Sequence, residues 1–323
     1  MIGLVAMGVG IAWALRPVAD GPGGPEFAPT GRDPRAMAGD EAAWLRRIDH
    51  LRVEDRPIDA VMTGWDAYRS VSPGGRPAIL KAMTLALLAD VPEGQGAASL
   101  RRRIEADPDD VDARVALLRR SLSAAPPPTD RPRIGRSGAG AETALEDLTT
   151  LLGRFPDHPG VRGAAIDALL DSGRIDEARS LLEAWPPSAA DDPRRLRLQA
   201  RLDLDFEGRP DRAIEAIAIL LRATPHDWRL RSRLSRALAM QGEAEEARRQ
   251  AAVVDRLRER LEPDRLGRRL ADALRAIDDP EALDDLADLC ASVGLTRLAS
   301  AWGREAETLR AALALRDEAP GRP

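Results

Sequence analysis

The sequence contains few of the residues that catalytic, metal and disulfide sites use. Its 323 residues include one cysteine, Cys290, and three histidines, and aromatic residues make up only 3%. A single cysteine excludes an internal disulfide. No His or Cys pair has the spacing of a metal site, and no glycine-rich phosphate loop is present. We therefore predict no catalytic residues, no metal and no cofactor.

The remaining candidate side chains have structural interpretations. His158 and His226 each lie beside an aspartate just after a repeat-closing proline, where residues cap the following helix or face solvent. Cys290 lies on an apolar helical face and is interpreted as a small buried hydrophobic residue. These interpretations assign no chemistry to the three side chains.

Composition and charge favour an all-helical protein. Alanine, leucine, arginine, aspartate and glutamate are abundant, whereas the aromatic residues that strands use are scarce. Charged residues make up 31% of the chain but nearly cancel, which leaves a net charge of −5. This balance predicts no broad basic surface for nucleic acid.

Glycine and alanine recur together at a nearly constant period. The series consists of four pairs in which a glycine stands five residues before an alanine. The pairs are Gly173 and Ala178, Gly208 and Ala213, Gly242 and Ala247, and Gly294 and Ala299. Ala144 precedes Ala178 by one more step of the same period. A period of this length predicts an α-solenoid of antiparallel helix pairs, with each glycine in the left-handed conformation after a first helix and each alanine where two helices cross.

The pattern of helices and breaks divides the chain into seven segments. Besides the N-terminal helix it predicts fifteen helices, at 41–53, 58–71, 78–89, 97–106, 109–123, 141–154, 159–172, 175–185, 194–207, 211–223, 227–241, 243–261, 264–277, 281–292 and 296–314. One additional helix near 264–277 accounts for the long step between the last two alanines. The segments are a hydrophobic N-terminal helix at 1–19, a Pro/Gly-rich linker at 20–39, divergent helical repeats at 40–123, a Pro-rich insertion at 124–140, regular repeats at 141–261, the extra helix and a last helix pair at 262–314, and a disordered tail at 315–323.

The regular segment resembles the tetratricopeptide repeat, a 34-residue helix-turn-helix unit closed by proline. Ala144 and Ala213 are each followed twelve residues later by a proline, Pro156 and Pro225. The early helices resemble the family less, and their assignment as repeats depends on the similarity of residues 56–60 to residues 209–213. The resemblance implies a superhelix whose first helices line a concave groove that binds proteins or peptides.

The first helices of two adjacent units are rich in arginine. Their arginines are Arg194, Arg195, Arg197 and Arg201, and then Arg229, Arg231, Arg233 and Arg236. Because regular stacking brings such side chains onto one surface, we predict that Arg195, Arg229, Arg233 and Arg236 contact an acidic stretch of a partner protein. The alternative is that these arginines pair with neighbouring acidic residues, Asp203, Asp205 and Glu207, on a solvated face.

The N-terminal segment has the composition of a membrane helix. Its first fifteen residues carry no charged side chain and are followed by Arg16 and Pro17. As a helix they would span about 22 Å, which approaches the hydrocarbon core of about 30 Å once Val18 and Ala19 are added. We expect an uncleaved single-pass anchor, with the soluble part on the exported side. A cleaved signal peptide and a buried N-terminal helix are the alternatives.

These features together predict a membrane-tethered, non-catalytic scaffold or adaptor that binds other proteins. The alternative is a structural assembly subunit of a cell-envelope complex, bound permanently through apolar patches instead of an arginine-lined groove. The insertion at 124–140 is expected to be a surface loop, although its proline run could also dock as a polyproline segment.

Overall fold

The structure, a computed structural model, describes residues 40–91, 93–123 and 139–317. The predicted hydrophobic helix at 1–19, the linker at 20–39 and most of the insertion at 124–140 lie outside these residues. Among the helices within them, none is long and apolar enough to cross a membrane.

The described residues form fifteen α-helices and two short 3-10 helices and contain no strand, so the prediction of an all-helical fold is confirmed. The α-helices are α1 (Glu41–Val53), α2 (Pro57–Ser70), α3 (Arg76–Leu88), α4 (Glu93–Ala106), α5 (Val111–Ser123), α6 (Ala139–Arg154), α7 (Pro159–Asp171), α8 (Ile175–Glu183), α9 (Pro193–Asp205), α10 (Pro210–Ala223), α11 (Trp228–Met240), α12 (Ala244–Arg260), α13 (Pro263–Arg275), α14 (Pro280–Ser292) and α15 (Thr296–Asp317). The 3-10 helices are Pro73–Gly75 and Pro187–Ala189.

The recurring glycines and alanines have the conformations that the period predicts. All four glycines have positive φ angles, between 62° and 87°, and each lies in the turn between the two helices of a unit. Ala178 and Ala213 are 0% exposed, and Ala144 and Ala247 are also buried. A methyl group at these places allows the paired helices to approach closely. Ala299, the last of the series, is half-buried and packs at the edge of a core cluster.

The first helix pair has the same turn, with aspartate in place of glycine. Asp55 has a φ of 58° and stands five residues before Ala60, which is fully buried. Proline follows as the second helix begins, at Pro57 as at Pro210. Aspartate is one of the few residues other than glycine that adopt this conformation readily. Helices α1 and α2 therefore have the turn geometry of the regular units.

The first three helices pack against the last units, so the solenoid closes on itself. One core cluster contains Trp44 and Met83 from the N-terminal helices together with Leu266, Leu286 and Trp302 from the C-terminal helices. We call this contact between α1–α3 and α13–α15 the seam. A sequence period gives the inward face of each helix but does not specify that the first and last units meet.

Hydrogen bonds between distant residues cross the seam. The indole Nε1 of Trp302 donates to Oγ1 of Thr84 at 3.0 Å, and both side chains are buried. The Tyr68 hydroxyl donates to the Glu305 carboxylate at 2.7 Å. Lys81 donates to the carbonyl of Leu274 at 3.2 Å.

Helix α2 also contacts the middle of the solenoid. Ile58 is part of the buried cluster formed by α9, α10 and α11, and Met62 packs against that cluster. The N-terminal helices therefore cover part of the surface that the regular repeats present.

Candidate functional site

A cleft lies between the turn from α1 to α2 and the first helices of three units, α5, α7 and α9. Its empty volume is about 790 Å³, including the part open to solvent. Ile58, Val115, Gly163 and Leu198 give it an apolar floor, and acidic and basic side chains surround them. Helix α7 packs directly on both α5 and α9, so these first helices form one continuous surface.

One end of the cleft is closed by a buried network of charges. The Arg56 guanidinium is 2.7 Å from Asp59 through Nε and 3.1 Å from Glu54 through Nη1. Arg103 binds the other Glu54 oxygen at 2.8 Å. Burial raises the pKa of Glu54, and the nearby Asp112 raises it further, while Arg56 and Arg103 lower it. Because its charges are paired within the chain, we interpret this network as a structural element that fixes the α1–α2 turn.

His158 caps helix α7 beside the same network. Its Nδ1 accepts a hydrogen bond from the backbone N–H of Val161 at 3.3 Å, and its Nε2 lies 3.6 Å from Asp112. Burial lowers the pKa of His158. The capping role predicted for this histidine is confirmed.

The prediction that His226 caps a helix or faces solvent is wrong. Asp227 caps α11 instead, accepting hydrogen bonds from the N–H groups of Arg229 and Leu230. Helix α11 begins two residues after His226, whereas α7 begins directly after His158. His226 is only 9% exposed. In both units the cap is the second residue after the proline, and His226, which directly follows Pro225, lies one residue before it.

Cys290 is completely buried in the cluster at the seam. Burial raises the pKa of its thiol to about 12, so the thiolate form is not populated near neutral pH. Its interpretation as a small hydrophobic residue is confirmed.

The four predicted partner-binding arginines have different surroundings. Arg195 donates to the carbonyl of Ala190 at 2.9 Å, in the loop before its own helix. The Arg229 guanidinium stacks over Trp228, 4.8 Å from the ring centroid. Both side chains are thus held by local contacts in the first turns of α9 and α11.

Arg233 and Arg236 share an acidic neighbour. Arg236 pairs with Asp205 of α9 at 2.7 Å and remains 57% exposed. Arg233 is half-buried and makes no ion pair or side-chain hydrogen bond with a residue that the structure describes. Burial lowers the pKa of Arg233, Arg201 and Arg197 lower it further, and Asp205 acts in the opposite direction. Arg233 is therefore a partly desolvated cation close to other cations.

Two other arginines on this face, Arg197 and Arg201, pair with acidic residues of adjacent units. Arg201 binds Asp167 at 2.8 Å and Asp171 at 2.5 Å, both in the preceding first helix. Arg201 follows Asp167 by one repeat period, and this spacing is the sequence signal that could have revealed the pair. The predicted pairing with Asp205 occurs at Arg236, whereas Asp203 and Glu207 lie near one arginine of α8 and two at the start of α10. Those arginines are Arg179, Arg209 and Arg212.

Family models match the part of the chain that contains three of the repeat turns. Two family models, both described as tetratricopeptide repeat, match residues 141–202 and 199–256. No curated protein is significantly similar to the sequence. Among solved structures, the crystal structure of a tetratricopeptide repeat protein from Parabacteroides merdae ATCC 43184 is 14% identical, with a TM-score of 0.36. The match covers 83% of this chain and 98% of that chain. The repeat turns and the two family models identify tetratricopeptide repeats at residues 141–256.

Proposed function

We propose that this protein is a non-catalytic adaptor that binds an acidic segment of a partner protein on the face formed by the first helices of its repeats. Tetratricopeptide repeats generally mediate protein binding, and stacked repeats present extended concave surfaces for that purpose. The observation that carries the proposal for this chain is the state of Arg233, a half-buried cation with no acidic group paired to it among the described residues.

A carboxylate from a partner would supply the paired charge and the hydrogen-bond acceptors that Arg233 lacks among the described residues. Removing a charge from water is unfavourable unless an opposite charge and hydrogen bonds replace the water. A guanidinium binds a carboxylate through two parallel hydrogen bonds, which gives both energy and geometric specificity. Arg236 lies one turn further along α11 and shares Asp205 with Arg233. Arg195 and Arg229 lie in first helical turns and would add weaker outer contacts.

The distribution of apolar side chains supports an adaptor more than a permanently assembled subunit. Within the described residues, the large hydrophobic side chains that are exposed are Met240, Leu313 and Leu315. A constitutive interface is more apolar than this and buries a contiguous patch. We therefore favour regulated binding through charged side chains.

The proposal includes a membrane tether formed by residues 1–19. Its support is the uncharged run of fifteen residues, followed by a Pro/Gly-rich linker that would let the repeats reach a partner at a distance. The native protein should then remain with membranes after an alkaline wash. Its release with the N-terminus intact would contradict the tether and leave the binding proposal unaffected.

The binding proposal is tested by neutralising the two central arginines. We expect the double variant Arg233→Gln/Arg236→Gln to bind a captured partner at least tenfold more weakly, because two charge-assisted contacts are lost. Affinity of the parent should fall as salt concentration rises. Titration calorimetry with the purified partner measures both effects.

The matched control changes two exposed arginines of a second helix, Arg248→Gln/Arg256→Gln, and alters the net charge by the same amount. The groove variant should unfold at the same denaturant concentration as the control or a higher one, since the half-buried charge of Arg233 is removed. If the groove and control variants bind the partner with equal affinity, the proposal that the first-helix arginines bind the partner is wrong.

A further inference from the structure

A second group of arginines lies at the seam, on two aromatic side chains of α2. Trp65 and Tyr68 meet edge to face, with ring centroids 5.8 Å apart. The Arg297 guanidinium stacks over Trp65 at 4.0 Å, and the Arg76 guanidinium over Tyr68 at 5.3 Å. We call the group the seam patch. Its members are Trp65, Tyr68, Arg69, Arg76, Arg297 and Arg304.

The seam patch has more cations than acidic partners. Arg69 pairs with Asp66 at 2.5 Å. The other three arginines make no ion pair with any residue that the structure describes. Glu305 is buried and accepts the Tyr68 hydrogen bond, so it is not available to a ligand. The patch is therefore locally basic on a chain whose net charge is −5.

The surroundings of two arginines show that their charges are incompletely compensated. Burial lowers the pKa of Arg297, and Arg69 and Arg304 lower it further, with Asp66 acting in the opposite direction. The Nε of Arg76 is buried without a hydrogen-bond acceptor among the described residues. Contact with the rings also restricts both guanidiniums, which reduces the conformational entropy that binding of a ligand would cost.

We propose that the seam patch binds an acidic peptide segment of a partner protein, through Arg76, Arg297 and Arg304. Guanidiniums suit carboxylates, which accept two parallel hydrogen bonds from one arginine. Single-stranded nucleic acid would require open aromatic faces for base stacking. Here guanidiniums lie over both rings and Trp65 is only 7% exposed, so carboxylates are the better match.

This surface exists only when the solenoid is closed. Three side chains of the patch belong to α2, one arginine to α3, and two arginines to α15, which lies at the opposite end of the described chain. A ligand that contacts α3 and α15 together therefore stabilises the seam by mass action. The seam patch shares no residue with the concave face and does not depend on the function proposed for that face.

The test measures binding of a defined acidic probe to the full-length protein in detergent. The probe is a fluorescein-labelled ten-residue peptide of alternating glutamate and alanine, followed by fluorescence anisotropy. We expect the variant Arg297→Gln/Arg304→Gln to weaken binding at the seam at least tenfold, and the variant Arg248→Gln/Arg256→Gln to bind like the parent. The peptide should also raise the melting temperature of the parent but not that of the seam variant.

A third variant, Arg233→Gln/Arg236→Gln, distinguishes binding of the probe at the concave face from binding at the seam patch. If only this variant loses the probe, the seam patch is overturned and the function proposed for the concave face stands. If only the seam variant loses it, the seam patch is supported and the concave face does not bind this probe. Absence of binding by the parent, or tighter binding of a ten-nucleotide single-stranded RNA at the seam, overturns the proposal. Arg304→Gln alone is the fallback if the double variant fails to fold, because Arg304 is exposed.

Discussion

Replacement of Trp302 by alanine is expected to lower the free energy of unfolding by about 3 to 5 kcal/mol, the usual cost of removing a large buried aromatic side chain. Trp302 is fully buried where α15 meets α3 and donates its indole hydrogen to Thr84 at 3.0 Å. Urea unfolding followed by circular dichroism measures the change. A loss below about 1 kcal/mol would contradict this packing, since removal of a fully buried indole has a larger effect.

The matched control is Trp302→Phe, which keeps an aromatic ring and removes the hydrogen bond. Thr84 still donates to the carbonyl of Leu80, so its hydroxyl is not left without a partner. We therefore expect the phenylalanine variant to lose clearly less stability than the alanine variant. Equal losses for the two variants would mean that the hydrogen bond, which both lack, dominates over packing at this position.

The alanine variant also distinguishes a closed solenoid from an open one. In an open array of repeats each unit contacts only its neighbours, and damage to the last unit stays local. Here the last helix shares a core with α1–α3, so amide exchange should accelerate in residues 76–88 as well as in residues 296–317. Unchanged exchange over residues 76–88 would show that the two ends are energetically independent.

Local features of the fold were predictable because a repeat fixes them within each unit. Gly173 and Ala178 mark one turn and one helix crossing, and the structure has both where the sequence predicts them. The fifteen predicted helices agree with the observed ones to within four residues at every end. Capping residues, prolines at helix starts and left-handed glycines are all decided by nearby sequence.

The seam could not be predicted in this way. Met83 and Trp302 have the pattern of ordinary core positions in their own helices. A helical period does not specify which distant helix packs against them. The arginines show the same limit on a smaller scale. The arginines of two adjacent first helices predict a basic face, but Asp167 and Asp171 neutralise Arg201 from the unit before it, and burial sets Arg233 apart from Arg236. Burial and pairing depend on contacts between units, which require the three-dimensional arrangement.

Acid is expected to destabilise this protein through His226, by about 3 kcal/mol between pH 6.5 and pH 4. Burial lowers the pKa of this histidine from 6.5 to about 4, and Arg231 contributes in the same direction. Asp227 and the carbonyl of Leu87, at the end of α3, act in the opposite direction but do not overcome the desolvation.

The sign follows from which state binds the proton. Below pH 6.5 the unfolded chain protonates its histidine, whereas the folded protein keeps His226 neutral until the pH approaches 4. Unfolding therefore takes up a proton in this window, and the stability present above pH 6.5 is lost as the pH falls. A difference of about 2.5 pKa units corresponds to about 3 kcal/mol.

The variant His226→Gln isolates this contribution, because glutamine is polar, of similar size and uncharged at every pH. Urea unfolding at pH 7.5, 6 and 5 should show a smaller loss of stability for the variant than for the parent over the same interval. His158→Gln is the matched control, since His158 is more exposed and its carboxylate neighbour Asp112 partly offsets the effect of burial. If the parent and the His226 variant lose stability in parallel from pH 7.5 to 5, His226 is not held neutral by the fold and α3 does not seal it from water.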